Sequence, residues 1–546
     1  MAMSAVLMSG FVLGGCDNTS EDSTSTASST DGNTIAVPED GGFTTVSYTA
    51  SDDKYRNYYE IFVYSFYDSD GDGIGDINGI IEKLDYLNDG DESTTTDLGI
   101  DGIWLMPIMP SSSYHKYNVS DYMDIDSDYG TLEDFQNLLD EAHERGISVI
   151  IDLVINHTGR DHEWFQTAKE EVAEGNLDGY AQYYNIEEIT DGNVPDGWAK
   201  LGVGDYYYEC QFDTSMPDLN LQNEDVRAEI EDIVDFWLDM GVDGFRLDAV
   251  LYYEDSNDES IEDLEWLYDY AQSVKEDVYM VGECWDGSNI ISQFYESGVD
   301  SFFNFDMQSS TGRVAKAVNT LKANNYVEYL QSWQETILEK NEDAIVASFI
   351  SNHDTARSAG FFYEDSTRKM AAALYIMTPG NPFIYYGEEI AMTGSSNDPD
   401  KRKGMYWSST DDTGYVESIP GESGDVTVPD QSVEEAQEDE DSLLNFYKRL
   451  IRLKLQNPEI ARGTITSTVQ LDDNGYVAAY ITEYDGSEVM VIFNVSDESQ
   501  SVEITSDIFE ITEIRGYAVG GDDAEYNLTY SGTTMTIPAR TVVVVK

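Results

Sequence analysis

Four carboxylates in this chain, Asp152, Asp248, Glu283 and Asp354, each lie at the end of a short apolar, strand-like run, and Arg246 stands two positions before the second of them. Side chains alternate along a strand, so Arg246 and Asp248 share a face. If residues 242–250 belong to a parallel barrel, the C-terminal end of that strand opens at the mouth where such folds keep their active sites, and the pair points into a cleft. A guanidinium beside a carboxylate keeps it ionised near neutral pH, and an ionised carboxylate on a rigid strand suits the nucleophile of a retaining glycosidase. The alternative for this stretch alone is a structural Arg–Asp pair closing a strand. Four convergent acids are hard to justify structurally. Of the five histidines, His115, His157 and His353 fall at the same strand ends, where neutral imidazoles suit hydrogen bonds to sugar hydroxyls. His143 and His162 read as surface residues.

The elements that must position these groups follow from the alternation of pattern. Apolar runs at 59–64, 100–107, 147–153, 242–250, 278–283, 301–305, 347–351 and 382–387 read as strands, with helical periodicity at 77–87 and 132–145. Strand and helix in turn predict parallel βα units closed into a (β/α)8 TIM barrel. The interval after the third strand is too long and aromatic for a simple loop, so residues 158–215 read as a small inserted domain between barrel parts at 48–157 and 216–460. Late in the second part an amphipathic helix begins at Leu443, with Lys448, Arg449, Arg452 and Lys454 expected toward water. Residues 461–546 carry short alternating runs and turn residues, as in an all-β sandwich.

A second acidic cluster follows the first strand, where Asp68, Asp70, Asp72 and Asp76 alternate on a glycine-rich loop. With the carbonyl of Ile74 they could wrap a hard cation, and calcium is the reading preferred over a plain acidic turn. It is no EF-hand, since Gly79 stands where the bidentate Glu would be.

The chain has 546 residues, 41% of them hydrophobic, enough for substantial cores, and two or three structural units are expected. Its 107 acidic against 29 basic residues give a formal net charge of -78. That surface repels nucleic acid and anionic membranes but is indifferent to a neutral sugar. The excess suits a saline habitat or extensive cation binding, or equally a solvated, aggregation-resistant surface. Three cysteines, Cys16, Cys210 and Cys284, leave little scope for a disulfide framework. Residues 5–15 are small and apolar and end Phe11-Val12-Leu13-Gly14-Gly15 before Cys16, which resembles a bacterial lipoprotein signal, although no basic residue precedes them. The expectation is a signal over 1–16 lipidated at Cys16, a polar tether over 17–47, and an exported cell-surface lipoprotein that meets the membrane only through its anchor.

The stretches around Asp152-Asn156-His157, Gly244-Phe245-Arg246-Asp248, Gly282-Glu283 and Asn352-His353-Asp354 look like the four signature regions of glycoside hydrolase family 13, the α-amylase family, and occur in its order. Met216-Pro217-Asp218-Leu219-Asn220 resembles the fifth region, in the form of enzymes intermediate between oligo-1,6-glucosidases and neopullulanases. Ser113-Tyr114-His115-Lys116-Tyr117 looks like the family's sugar-stacking loop, and Gly387-Glu388-Glu389 resembles its eighth strand. The likeness spans roughly residues 55–460. It implies that Asp248 is the nucleophile, Glu283 the general acid/base, and Asp354 the carboxylate that binds sugar hydroxyls and stabilises the transition state. It further implies hydroxyl-binding roles for His115, His157 and His353, a stacking role for Tyr117, and a place for Arg402 in the substrate-binding set. Asp152 is expected to orient Arg246. Glu283 has surroundings poorer in positive charge than Asp248, which suits an acid that keeps its proton.

Some positions depart from the family pattern. Leu251 and Tyr252 replace the Lys-His often found after the nucleophile, which weakens the case for an interdomain calcium although Asn156 is present. Asn118 replaces the Asp of strict exo-glucosidases, and Val250 looks more like α-1,4- than α-1,6-cleaving relatives. The expected protein is a monomeric retaining hydrolase of α-1,4-glucosidic bonds in starch or maltooligosaccharides. An α-glucosidase or neopullulanase-like enzyme on short oligosaccharides is the alternative. A non-catalytic glucan-binding lipoprotein is the reading from another class, and the intact Asp248, Glu283 and Asp354 count against it.

Overall fold

Alternating apolar runs and amphipathic helices give eight parallel strands, Tyr58–Ile61, Gly102–Leu105, Ser148–Leu153, Gly244–Leu247, Tyr279–Gly282, Ser301–Phe302, Ala347–Ser348 and Asn381–Tyr385. They are called the first to eighth barrel strands. The computed structural model describes residues 35–42, 53–91, 93–424, 427–521 and 528–546. The sheet order is seventh, eighth, first, second, third, fourth, fifth, sixth. A parallel bridge between Phe303 and Ala347 joins sixth to seventh and closes the ring. The strands are shorter than their apolar runs. After Ile61, for example, the chain turns into a one-turn helix, Val63–Phe66, whose side chains stay buried, so hydrophobicity outlasts the hydrogen-bond ladder.

The barrel interior is filled with rings, as inward side chains of a packed barrel must fill it. Tyr58 stacks on Phe383 at 4.8 Å and on Tyr279 at 5.3 Å, and Phe303 meets Trp104 and Phe383. Gly244 opens the fourth strand because a Cβ there would lie 1.8 Å from the Tyr279 carbonyl oxygen. Only a glycine lets these two strands run close enough to set Arg246 beside the fifth strand.

Between the third and fourth strands lies the insert. It comprises a helix, Glu163–Glu174, and a three-stranded antiparallel sheet of Ile186–Glu188, Trp198–Lys200 and Tyr206–Glu209. Phe165 packs edge-on against Tyr184 and Tyr208, each at 5.0 Å. After the barrel come antiparallel sheets of five and three strands over a separate apolar core. Ile35 and Val37 pack against that core, so residues 35–42 of the expected tether belong to the folded body. The described residues contain no helix long and apolar enough to cross a membrane.

The amphipathic helix spans Leu443–Leu455, but Lys448, Arg452 and Lys454 are buried, contrary to the sequence expectation. The helix is covered on that side too, and each cation finds acceptors there. Lys448 donates to the Thr96 carbonyl, Arg452 pairs with buried Asp97 at 3.0 Å, and Lys454 donates to the carbonyls of Ile376 and Thr378. Unpaired burial of such charges would be prohibitive.

Candidate active site

Register sets the core of the site. Asp152 on the third strand lies directly across from Arg246 on the fourth, and Arg246 across from Val281 on the fifth. Period two then turns Arg246 inward at the level of Asp248 and Glu283, which follow the two strands. The guanidinium is fully buried. Its Nη1 lies 2.6 Å from both Asp152 Oδ1 and Asp248 Oδ1, and its Nη2 lies 3.1 Å from Glu283 Oε2. Asp152 is held in turn by Trp104 Nε1–H at 3.1 Å and the Tyr117 hydroxyl at 3.2 Å. It touches Arg246 and these supports, which fits the orienting role.

The backbone contributes as well. Ala249 adopts φ 54°, a left-handed conformation rare for a residue with a side chain. That turn aims the Ala249 N–H at Glu283 Oε2, 3.0 Å away. Strain of this kind persists where surrounding structure enforces it, commonly at active sites. Burial dominates the titration of Glu283. Arg246 opposes it, Asp248 and Asp354 reinforce it, and the carboxyl is pushed up to about 8. The sequence expectation that Glu283 keeps its proton through distance from positive charge is therefore corrected in its cause. Arg246 is in contact, and desolvation with two neighbouring carboxylates outweighs it.

Asp354 stands across the mouth. His353 Nε2 lies 3.0 Å from its Oδ2, and Arg402 donates to its Oδ1 at 2.8 Å. Burial alone would raise this carboxyl, but His353 and Arg402 hold it well below the usual range. His353 is not the neutral imidazole expected. Burial lowers it, yet Asp354 on one nitrogen and Glu60 on the other, 2.5 Å from Nδ1, push it up to about 10. Two carboxylates on its two nitrogens favour the imidazolium. Tyr117 stacks on this ring at 5.6 Å and bonds its Nε2 at 2.7 Å.

At the other two mouth histidines the surroundings favour the neutral imidazole. Burial drives His115 down to about 4, with Arg402 adding to the effect, and burial also lowers His157. His157 Nε2 meets the Tyr117 carbonyl at 3.2 Å, and His115 Nδ1 accepts from the Tyr117 N–H at 3.2 Å. Tyr117 is thus the hub between three histidines and Asp152. His143 is exposed as expected, paired with Asp243 at 2.8 Å. His162 is instead buried, because its Nδ1 caps the helix of the insert by accepting from the Trp164 N–H.

Three residues of the site escaped the sequence reading. Glu60 charges His353, Trp104 holds Asp152, and Asp398 lies 3.1 Å from Arg402. Only Glu60 left a signal, as a carboxylate inside the apolar run Tyr59-Glu60-Ile61.

The acidic loop lies apart from this cluster. Asp68, Asp70 and Asp76 offer ligand oxygens within 4.8 Å of one another. Asp72 is outside that group and exposed, and its carboxylate accepts from the Ile74 N–H at 2.8 Å. Asp68 accepts from the N–H groups of Gly71 and Gly73, and Asp76 caps the helix Ile77–Leu87 through the Gly79 N–H. These bonds orient the carboxylates and leave lone pairs free, so three hard oxygen donors fit a calcium ion. Cys16 lies outside the described residues.

Known proteins share this arrangement over most of its length. A family model described as the α-amylase catalytic domain matches residues 60–463. Alpha-amylase 3 of Dictyoglomus thermophilum is 36% identical over 84% of this chain and 88% of its own. The oligo-1,6-glucosidase of Parageobacillus thermoglucosidasius is 29% identical over 86% and 94%. Among solved structures, Amy13B of Eubacterium rectale superposes with a TM-score of 0.83 at 41% identity, covering 91% of this chain and 96% of that one. With the family model spanning nearly all of the barrel and the carboxylates at its mouth, the chain belongs to the α-amylase family, glycoside hydrolase family 13, whose members act on α-glucans.

Proposed function

We propose that the protein is a retaining hydrolase of α-1,4-glucosidic bonds in starch or maltooligosaccharides. The observation that carries this reading is the asymmetry around Arg246, which bonds Asp248 closely while Glu283, on the same guanidinium, is pushed up to about 8. In the first step an Asp248 oxygen attacks the anomeric carbon. The glycosidic C–O bond breaks, and Glu283 gives its proton to the departing oxygen. In the second step Glu283, now a carboxylate, takes a proton from water, whose oxygen displaces Asp248 and restores both groups. Asp354, fixed by His353 and Arg402, offers a charged acceptor to the hydroxyls of the reacting sugar. His115 and His157 are neutral partners for further hydroxyls.

The likeness to a protein named oligo-1,6-glucosidase supports a second reading, an enzyme on short or branched oligosaccharides. Products from maltoheptaose and pullulan separate the two. Short maltooligosaccharides from maltoheptaose with pullulan left intact support the first, whereas panose from pullulan or glucose alone supports the second.

The proposal extends to a structural calcium ion on Asp68, Asp70 and Asp76, and to an exported, monomeric lipoprotein anchored at Cys16. The anchor rests on the apolar run before Cys16 and the polar stretch after it. Incorporation of labelled palmitate that is lost in Cys16→Ser is the expected result, and equal labelling of the variant contradicts it.

A further inference from the structure

Ala249 is not the only strained residue beside the site. Lys116, between the site residues His115 and Tyr117, has φ 65°, a left-handed conformation that glycine adopts freely and a lysine adopts only at a cost. The residue is also buried, at 3% exposure, although a lysine seldom leaves water without a charged partner. Here it has two. Its Nζ lies 2.7 Å from Asp126 Oδ2 and 3.3 Å from Asp128 Oδ2, and stands 5.1 Å over the Tyr129 ring.

The pocket that receives this ammonium is part of the barrel body. Asp126 donates its N–H to the Ile108 carbonyl at 2.9 Å, and its carboxylate accepts from the N–H groups of Ser111 and Asp128, each at 3.0 Å. The Tyr129 carbonyl accepts from the Ile77 N–H at 3.0 Å, where the helix Ile77–Leu87 begins. The anchor is therefore tied both to the chain leaving the second strand and to a barrel helix.

Tyr117 follows directly on the strained residue. Its N–H donates to His115 Nδ1 across Lys116, and its hydroxyl lies 3.2 Å from Asp152 and 2.7 Å from His353 Nε2. The backbone at residue 116 sets the direction in which the chain enters Tyr117, so the turn decides where that ring stands. Backbone strain persists where surrounding structure enforces it, and the ion pair is the enforcing contact made by the strained residue itself.

We propose that Lys116 is a positioning residue, whose buried ion pair with Asp126 and Asp128 holds the left-handed turn that presents Tyr117 to the cleft. These ammonium partners lie outside the catalytic cluster, so Lys116 acts through the backbone and not on the sugar. The kinetic readout of this role rests on the hydrolase reading above.

The test is a double-mutant cycle on maltoheptaose hydrolysis, combining Tyr117→Ala with Lys116→Gly, which removes the ion pair and tolerates the turn. Lys116→Gly should lower kcat/KM about tenfold in the wild-type background, but no more than about twofold in Tyr117→Ala, where the group it positions is already gone. A lysine that only supports the fold would cost the same factor in both backgrounds, and that result overturns the proposal. Wild-type kcat/KM in Lys116→Gly overturns it too. If Lys116→Gly does not fold, Asp128→Asn decides, because the Asp128 side chain is 48% exposed and its loss leaves the Asp126 pair in place. That variant should lower kcat/KM about threefold with Tyr117 present and leave it unchanged in Tyr117→Ala. An equal effect in both backgrounds, or none in either, overturns the role and leaves the hydrolase reading intact. Wild-type protein inert toward maltoheptaose overturns the hydrolase reading, and the role with it.

Discussion

Two acidic clusters decorate this barrel, and they are compensated in opposite ways. At the mouth, Asp152, Asp248, Glu283 and Asp354 are packed around internal cations, with Arg246 touching the first three and His353 and Arg402 the fourth. On the first loop, Asp68, Asp70 and Asp76 gather with no side-chain cation among their hydrogen-bond partners here, only backbone N–H groups and the Ser69 hydroxyl. A buried carboxylate set with its own counter-charges can split protonation states among its members and do proton chemistry. A partly exposed set held by backbone dipoles has lone pairs to spare and suits an external cation. Carboxylate count alone does not distinguish chemistry from structure. The source of the counter-charge does.

The contrast breaks most sharply if the mouth is neutralised one group at a time. Asp248→Asn and Glu283→Gln keep shape and remove chemistry, and each should lower kcat by about a thousandfold or more while retaining glucan binding. Near wild-type turnover in steady-state assays of either variant would refute its role. Arg246→Lys keeps one charge but cannot reach Asp152, Asp248 and Glu283 from two nitrogens. Misplacement of both reacting carboxyls should cost kcat on the order of a hundredfold, and unchanged kinetics would mean that the shared guanidinium is incidental.

The pH profile sharpens the same point. The acid must hold its proton, so on the alkaline side kcat/KM should fall about tenfold per pH unit above about 8 as Glu283 ionises. His353 keeps its charge until about 10, so it does not contribute to this limb. A decline centred near the ordinary glutamate range would contradict the assignment.

For the loop the expected effect is on stability and is smaller. Calcium at a hundred times its Kd should stabilise the fold by about 2.7 kcal/mol, and chelation should remove that gain in a melting experiment. Asp70→Ala should abolish the calcium-dependent shift in Tm, while Asp72→Ala, outside the cluster, should keep most of it. Identical melting curves with calcium and with chelator would reduce the loop to a turn.

The barrel and its principal carboxylates were legible in the sequence because each carboxylate ends an apolar run, and alternation fixes the face it takes. The pairing of Arg246 with Asp152 came from the family resemblance rather than from alternation, and the two are in contact. What was not legible depends on partners brought from distant elements. The charge on His353 comes from Glu60, almost three hundred positions earlier in the chain. The burial of Lys448, Arg452 and Lys454 depends on carbonyls and Asp97 arriving from other segments, which helical periodicity cannot report. Alternation on the first loop suggested four carboxylates and the Ile74 carbonyl as ligands, and which of them converge, here Asp68, Asp70 and Asp76, depends on the turn geometry that alternation does not report.

The central claim is that Asp248 forms the bond to the sugar while Glu283 handles the proton. It is tested most directly by incubating the Glu283→Gln variant with an activated 5-fluoro-α-glucosyl fluoride and mapping the trapped adduct by peptide mass spectrometry. The account predicts one glycosyl unit on the peptide containing Asp248, and none in Asp248→Asn. A label on Glu283, on Asp354 or nowhere, with substrate nevertheless consumed, would contradict it.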